Sequence, residues 1–301
     1  MRKLVNIVIL FTVGLSMALS SCSNDNDLSD KSIFRNDTLL TKENAFDKWI
    51  DSAYVADYNV DLKYRFEDIE ADHKYDLSPA ELVNAEKLAL IVKYCWFEAY
   101  DEVAGVDFTR TYVPKILQMI GSPAFNSNGT IVLGTAEGGL KVTLYMVNSF
   151  TLDKSTLNEY YFKTMHHEFS HILHQTKSYD PDYNQISEGK YVSGDWYLQS
   201  ENTALQSGFI TPYAMSEPRE DIAEMTSMYI ITSPEDWAAK MEIAGSTGAP
   251  IIEEKLEMIK KYMKESWGID MDQLRDVVQA RMNDVITGKL DLNTFVNSLD
   301  K

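Results

Sequence analysis

Four of the five histidines in this 301-residue chain lie between residues 166 and 174. Two of them, His167 and His171, enclose Glu168 in the pattern H-E-x-x-H. In an α-helix, positions i and i+4 share one face, so the two imidazoles can hold one metal ion together. Glu168 follows the first histidine directly, where its carboxylate can take a proton from water at that ion. The pattern therefore predicts a helix that carries a catalytic metal centre.

A centre with two histidines needs a third protein ligand, and the best candidates are Glu220 and Glu224. The compact pattern with a third histidine shortly after H-E-x-x-H is absent, since its glycine and last histidine are missing. His174 lies about one turn beyond His171, so we expect it beside the site rather than among the ligands. Glu220 and Glu224 are themselves an i, i+4 pair, so spacing leaves open which one binds metal. Imidazole with carboxylate is typical of catalytic zinc, which predicts one Zn²⁺ per chain.

The first residues predict an exported lipoprotein. A charged start, an apolar stretch over 4–19 and small residues indicate a signal peptide over 1–21. Leu-Ser-Ser-Cys ending at Cys22 resembles the lipobox of bacterial lipoproteins, which implies that this cysteine is acylated. Residues 22–40 begin with a polar, acidic run and predict a flexible tether. An acidic run at this place also resembles the signal for the outer face of the outer membrane, so we expect a lipid-anchored, surface-facing protein.

Composition narrows the class of protein. Hydrophobic residues make up 45% of the chain, enough for a folded core. Acidic residues outnumber basic ones 46 to 28, and the net charge of -18 disfavours binding to nucleic acid. The second of the two cysteines, Cys95, lies in an apolar segment and is expected to be buried as a small apolar side chain.

The hydrophobic pattern over residues 41–301 predicts one α+β domain with a helical C-terminal half. Residues 176–215 have no sustained period and predict a long loop, or short helices within one. Capping boxes at Ser78–Glu81 and Thr156–Glu159 are expected to open two of the helices. The predicted helices cover 43–53, 78–103, 156–175, 218–231, 234–244, 250–266 and 270–286. The predicted strands of a small mixed or antiparallel sheet cover 58–66, 115–121, 130–135 and 140–147.

H-E-x-x-H followed after a wide gap by Glu220-Asp-Ile-Ala-Glu224 resembles the gluzincin peptidases of the lethal-factor toxin type. The resemblance implies that Glu220, the first glutamate of the second segment, is the metal ligand. It also implies a role for Tyr213, seven residues before that ligand, as a donor to the developing oxyanion.

A wider set of segments in the chain resembles the substrate import-associated zinc metallohydrolase lipoproteins. It implies a zincin-like fold, zinc, hydrolysis, and association with a TonB-dependent outer-membrane importer and its lipoprotein partner. Besides the lipobox, the matching segments are Tyr58-Asn59-Val60, Ile120-Gly121-Ser122, residues 134–139, residues 167–175, Gly208-Phe209 and residues 220–224.

These features predict a zinc metallopeptidase in which His167, His171 and Glu220 bind the metal and Glu168 is the general base. Strand 140–147 is the expected edge along which a peptide would lie, with Gly138 and Gly139 allowing close approach. The alternative from another class is a non-catalytic, zinc-containing accessory lipoprotein that binds substrate for an importer. A second alternative keeps the hydrolase but places the scissile amide in a glycoconjugate or a cell-wall peptide.

Overall fold

The computed structural model describes residues 43–67, 74–125, 131–132, 134–137 and 140–299. The predicted signal peptide, Cys22 with its predicted acylation, the whole predicted tether over 22–40, and Gly138 and Gly139 lie outside the described residues. The chain from Asn44 onward forms one compact unit.

The described residues contain twelve α-helices and six β-strands, which confirms the predicted α+β class. The first six helices are α1 (Ala45–Ile50), α2 (Leu82–Val92), α3 (Glu98–Ala104), α4 (Val106–Tyr112), α5 (Lys154–Leu157) and α6 (Lys163–Thr176). The others are α7 (Tyr183–Ile186), α8 (Glu201–Ser207), α9 (Pro218–Ile231), α10 (Pro234–Trp267), α11 (Met271–Ile286) and α12 (Leu292–Leu299). The strands are β1 (Asp61–Lys63), β2 (Ile116–Met119), β3 (Ala124–Phe125), β4 (Ile131–Val132), β5 (Gly134–Glu137) and β6 (Lys141–Leu144).

Short π-helical and 3₁₀ segments complete these elements. A π-helical turn extends α1 over Asp51–Ala56, and two others join α2 to α3 (Lys93–Phe97) and α5 to α6 (Asn158–Phe162). The 3₁₀ segments cover Val147–Ser149, Ser193–Leu198 and Tyr213–Met215. The last two, with α7 and α8, show that residues 176–215 contain short helices, one of the two predicted options.

The main sheet is mixed, with strand order β1-β2-β6-β5. Strands β1, β2 and β6 are parallel, and β5 pairs antiparallel with β6, the next strand in the chain. The expectation that 140–147 forms an exposed edge is therefore wrong. Strand β6 lies between β2 and β5, and all four of its residues are buried. The edge strand on this side is β5.

Both predicted capping boxes are wrong because tertiary contacts and a nearer cap replace them. Helix α2 begins at Leu82, since Pro79 instead forms a bridge with Ile120 of the neighbouring segment. The Asn148 side chain holds this extended stretch by accepting from the Glu81 amide at 2.7 Å. At the second predicted box, the Asp153 side chain caps α5 by accepting from the backbone amide of Thr156.

The C-terminal half is helical, as predicted. Helix α9 has the bounds that the sequence predicts, with Pro218 in its first turn. The predicted pair 234–244 and 250–266 forms the continuous run α10, interrupted only by non-helical Gly245. Helix α12 was not predicted.

One face of α6 belongs to the aromatic core. Trp96 and Tyr100 pack edge-on against Phe169, with ring centroids 5.2 and 5.0 Å apart. His166 lies on the same face, where burial lowers its pKa to about 3 and keeps it neutral beside the Tyr100 hydroxyl, 3.0 Å away. Cys95 is free and buried in this region, as predicted. The core therefore fixes the rotation of α6 and turns the opposite face toward α9, its main packing partner.

A buried ion pair ties α10 to the beginning of α9. Lys255 and Asp221 are fully buried and 2.6 Å apart. The Lys255 ammonium also donates to the Gly208 carbonyl at 2.9 Å, and the Tyr191 hydroxyl donates to Asp221 at 3.0 Å. Gly208 ends α8 with φ +90°, and a Cβ atom there would lie 2.5 Å from Ile251, so glycine is required. These contacts fix the loop before α9 against α10.

Replacing Lys255 by Met should destabilise the fold by about 3–5 kcal/mol, because it leaves the Asp221 carboxylate buried without its cation. The double variant Lys255→Met, Asp221→Asn should recover part of that loss, since it removes the uncompensated charge. Urea denaturation of the two variants beside the wild type measures both effects. A single variant as stable as the wild type, or a double variant less stable than the single one, would contradict this role.

Candidate metal centre

Three side chains from two helices converge at the face of α6 opposite the core. His167 and His171 lie one turn apart on α6, and Glu220 lies in the first turn of α9. The Nε2 atoms of the two histidines are 3.1 Å apart. The Oε2 atom of Glu220 lies 3.0 Å from His167 Nε2 and 3.3 Å from His171 Nε2. The structure thus brings together the three side chains that the sequence predicts as ligands.

These spacings fit a single small cation. A tetrahedral zinc ion with bonds of about 2.0–2.1 Å separates its ligand atoms by about 3.4 Å. The three observed separations are 3.0, 3.1 and 3.3 Å, so a small outward shift would admit the ion. Two imidazole nitrogens and one carboxylate oxygen leave a fourth position for water or substrate, as in catalytic zinc sites.

Glu224 lies behind the ligand atoms rather than among them. Its Oε1 is 2.9 Å from His167 Nδ1, the nitrogen that faces away from Glu220. Its Oε2 accepts from the Thr211 hydroxyl at 2.5 Å and lies 3.0 Å from the Lys163 ammonium. Burial raises the pKa of Glu224, but Lys163 and the bonds from His167 and Thr211 outweigh it and hold that pKa well below its usual range. The geometry thus separates two glutamates that spacing alone could not distinguish.

His174 lies behind His171, as Glu224 lies behind His167. The His174 Nε2 atom lies 2.8 Å from His171 Nδ1. Burial, with the neighbouring His171 ring and the Arg219 guanidinium, lowers the pKa of His174 to about 4, so its ring is neutral. A neutral His174 accepts the Nδ1–H of His171, which leaves the His171 Nε2 lone pair for a metal. Each candidate ligand histidine therefore has a fixed partner on its far nitrogen.

Carboxylates set the protonation of His167 when no metal is bound. Burial lowers its pKa, but the bonds to Glu220 and Glu224 outweigh this and raise the pKa to about 9. For Glu220, burial is likewise outweighed by His167 and His171, which hold its pKa well below the usual range. As a metal ligand, His167 would have to lose this proton, so we expect metal affinity to fall as pH falls.

Glu168 and Tyr213 flank the three ligand atoms. Glu168 is half-buried, and burial raises its pKa against the lowering effect of His167 and His171. The Tyr213 ring centroid lies 5.8 Å from that of His167. Burial and the Glu220 carboxylate raise the pKa of Tyr213, so its hydroxyl stays protonated and can donate. The structure therefore places a carboxyl group of raised pKa and a protonated phenol beside the candidate ligand group.

Three neighbours of the site were missed by the sequence analysis. Lys163 and Thr211 bind Glu224, and Arg219 directly precedes Glu220. Trp196 packs edge-on against Tyr213, with ring centroids 4.9 Å apart. Lys163 and Arg219 had local signals, since Lys163 lies one turn before His167 on the same helix and Arg219 is next to Glu220 in the sequence. The loop residues approach the centre only through tertiary structure.

Comparison with known proteins identifies the family. Residues 40–272 match the family described as "Putative zinc-binding metallo-peptidase". The chain belongs to this family. A crystal structure of a "putative zinc-binding metallo-peptidase" from Bacteroides caccae ATCC 43185 is 50% identical, with a TM-score of 0.74, over 82% of this chain and 94% of that one. None of the curated proteins matches the chain.

Membership in this metallopeptidase family confirms the resemblance predicted from the motifs and the zincin-like fold. Zinc is the metal that the family description implies, and the His167, His171 and Glu220 group has the donor set to hold it. Across the described ranges, none of the helices is both long and apolar enough to span a membrane.

We expect Glu224→Gln to weaken zinc binding by roughly 10–100-fold, because the partner that orients a ligand histidine loses its charge. Competition with a chromogenic chelator measures the affinity. Glu253→Gln, which removes an exposed carboxylate on α10, is the matched control and should bind zinc like the wild type. Equal affinity for both variants would show that Glu224 does not orient His167.

Proposed function

We propose that the chain is a zinc-dependent peptidase in which His167, His171 and Glu220 hold one zinc ion per chain. The observation that carries the proposal is the approach of three ligand atoms to within 3.3 Å of one another, with the half-buried Glu168 carboxyl group in the electrostatic field of all three residues. Zinc in such a centre polarises the scissile carbonyl and lowers the pKa of water toward about 7.

Glu168 is proposed as the general base and then the general acid. Its raised pKa favours taking a proton from the attacking water and later giving it to the leaving amine. His167 and His171 face the same centre from one turn of α6, so the carboxylate of Glu168 is held at a fixed place relative to both. Tyr213 is proposed to donate its hydroxyl proton to the oxygen on which negative charge develops.

The edge of the sheet supports a peptide as the substrate. Within the described residues, no other strand pairs with the outer side of β5. The backbone of β5 also lies against α6, the helix that carries His167 and His171. An exposed edge offers main-chain hydrogen bonds to an extended chain, which would then pass the metal centre.

The alternatives differ in what they require of Glu168. A non-catalytic, zinc-containing lipoprotein that binds substrate for an importer has no need of a half-buried carboxylate beside the metal. A hydrolase acting on an amide in a glycoconjugate would use the same groups as a peptidase. The β5 edge favours the peptide, because its main-chain groups match an extended polypeptide rather than a sugar.

The zinc-loaded domain should cleave members of a quenched-fluorescence peptide library. Glu168→Gln should lower kcat/KM by about 10²–10⁴-fold and Tyr213→Phe by about 10²–10³-fold, since one removes the base and the other an oxyanion donor. Both variants should retain one zinc per chain by elemental analysis. Zinc without cleavage in the wild type would favour the binding protein, and cleavage confined to glycopeptides would favour the second alternative.

We further propose that the chain is a lipoprotein anchored through Cys22 to the outer membrane, with residues 22–40 as tether and the domain facing outward. The lipobox, the acidic run after it and the family resemblance support this location. The same resemblance supports a TonB-dependent importer and its lipoprotein as partners. A surface location would place the peptidase where imported nutrients are processed.

Expression of the full chain in a Gram-negative host with an alkyne-labelled fatty acid tests the anchor. The wild type should carry the label and stay in the membrane fraction, while Cys22→Ala should lose the label because the acylated thiol is gone. Cys95→Ala is the matched control and should remain labelled. Equal labelling of Cys22→Ala and the wild type would contradict acylation at Cys22, and resistance to protease added to intact cells would contradict the outward orientation.

A further inference from the structure

A polar cleft of about 410 Å³ lies beside the metal centre, between the end of α6 and the beginning of α9. It is open to solvent, and polar side chains form most of its walls. The residues that matter for its chemistry are His174 and Gln175 from α6, Ser178, Tyr179 and Asn184 from the segment after it, and Arg219 from α9.

Two residues that line the cleft lie next to candidate metal ligands. His174 lines the cleft and contacts His171 Nδ1 through its Nε2 atom at 2.8 Å. Arg219 lines the cleft and is followed directly by Glu220, whose oxygen lies among the ligand atoms. An extended peptide advances about 3.3 Å per residue, so a ligand at the centre reaches the cleft within a few residues.

The charges of the lining select for an anion. Arg219 is exposed and is the permanently charged residue of the lining. None of the lining residues is a carboxylate. In the part of the chain that the structure describes, the Arg219 guanidinium has no ion pair or hydrogen bond, although the whole chain carries a net charge of -18. The guanidinium is therefore open to a ligand that enters the cleft.

Neutral donors surround that cation. The Tyr179 hydroxyl donates to Asn184 Oδ1 at 3.0 Å, which turns the amide NH₂ of Asn184 away from this bond and leaves it able to donate elsewhere. A guanidinium with an amide donor in the same cleft matches the two oxygens of a carboxylate, since arginine can bind both at once.

We propose that this cleft binds a carboxylate group of the substrate, with Arg219 as its charged partner. This makes Arg219 a specificity-determining residue for peptides that carry a carboxylate a few residues from the scissile bond. The carboxylate is either the C-terminus of the peptide or the side chain of an aspartate or glutamate. The inference rests on the proposed function only for the peptide nature of the ligand.

Peptide binding to the zinc-loaded Glu168→Gln protein tests the inference without relying on turnover. Three fluorescein-labelled hexapeptide sets are compared by anisotropy: neutral peptides with a free C-terminus, the same peptides amidated, and amidated peptides with one glutamate scanned through the positions. One of the two carboxylate sets should bind about tenfold more tightly than the neutral amidated set, as expected for a charge-assisted hydrogen bond. The set with the gain identifies the source of the carboxylate.

Adding Arg219→Met should abolish this tenfold preference and leave the zinc content unchanged, because the side chain is exposed and does not belong to the ligand set. Lys48→Met, which removes one exposed positive charge on α1, should keep the preference and so controls for net charge. Equal binding of all three sets, binding by none of them, or a preference that survives Arg219→Met would overturn the inference. Absence of peptide cleavage by the wild type would refute the proposed function while leaving a carboxylate preference in binding measurable.

Discussion

The buried carboxylate of Glu224 is the contact on which the geometry of the metal centre depends. A charge with almost no exposure is tolerated only with partners, and here Lys163, Thr211 and His167 supply them from α6 and from the loop before α9. Because these partners come from separate segments, the carboxylate fixes how α9 lies on α6. Glu220, one turn earlier on α9, is thereby carried to the Nε2 atoms of the two candidate ligand histidines.

Further buried contacts hold this arrangement from both sides. On the core side, the aromatic rings around Phe169 fix the rotation of α6, so that His167 and His171 face away from the core. On the other side, the Lys255–Asp221 pair holds the first turn of α9 and the loop that leads toward Tyr213. Buried contacts around Glu168, the candidate ligand group and Tyr213 therefore hold these side chains in place, which suits a preorganised site.

The sequence predicted what depends on local signals. The i, i+4 histidines, the bounds of α9 with Pro218 in its first turn, and the helical C-terminal half follow from periodicity and caps. The strand order could not be predicted from local patterns. Strand β6 pairs with β2, which is distant in the sequence, and therefore lies inside the sheet. The false capping box at Ser78 arose because its local spacing competes with contacts to Ile120 and Asn148, which no local pattern reveals. Distinguishing Glu220 from Glu224 likewise required the partners that tertiary structure brings to each.

The most direct test of the account is a crystal structure of the zinc-soaked domain, residues 23–301, with anomalous data at the zinc absorption edge. The account predicts one anomalous peak per chain at about 2.0–2.2 Å from Nε2 of His167, Nε2 of His171 and a carboxylate oxygen of Glu220. In that structure Glu224 should remain on His167 Nδ1, outside bonding distance of the ion. A peak bound by Glu224 or His174 instead of Glu220, or no peak at the group under conditions that load zinc elsewhere, would contradict it.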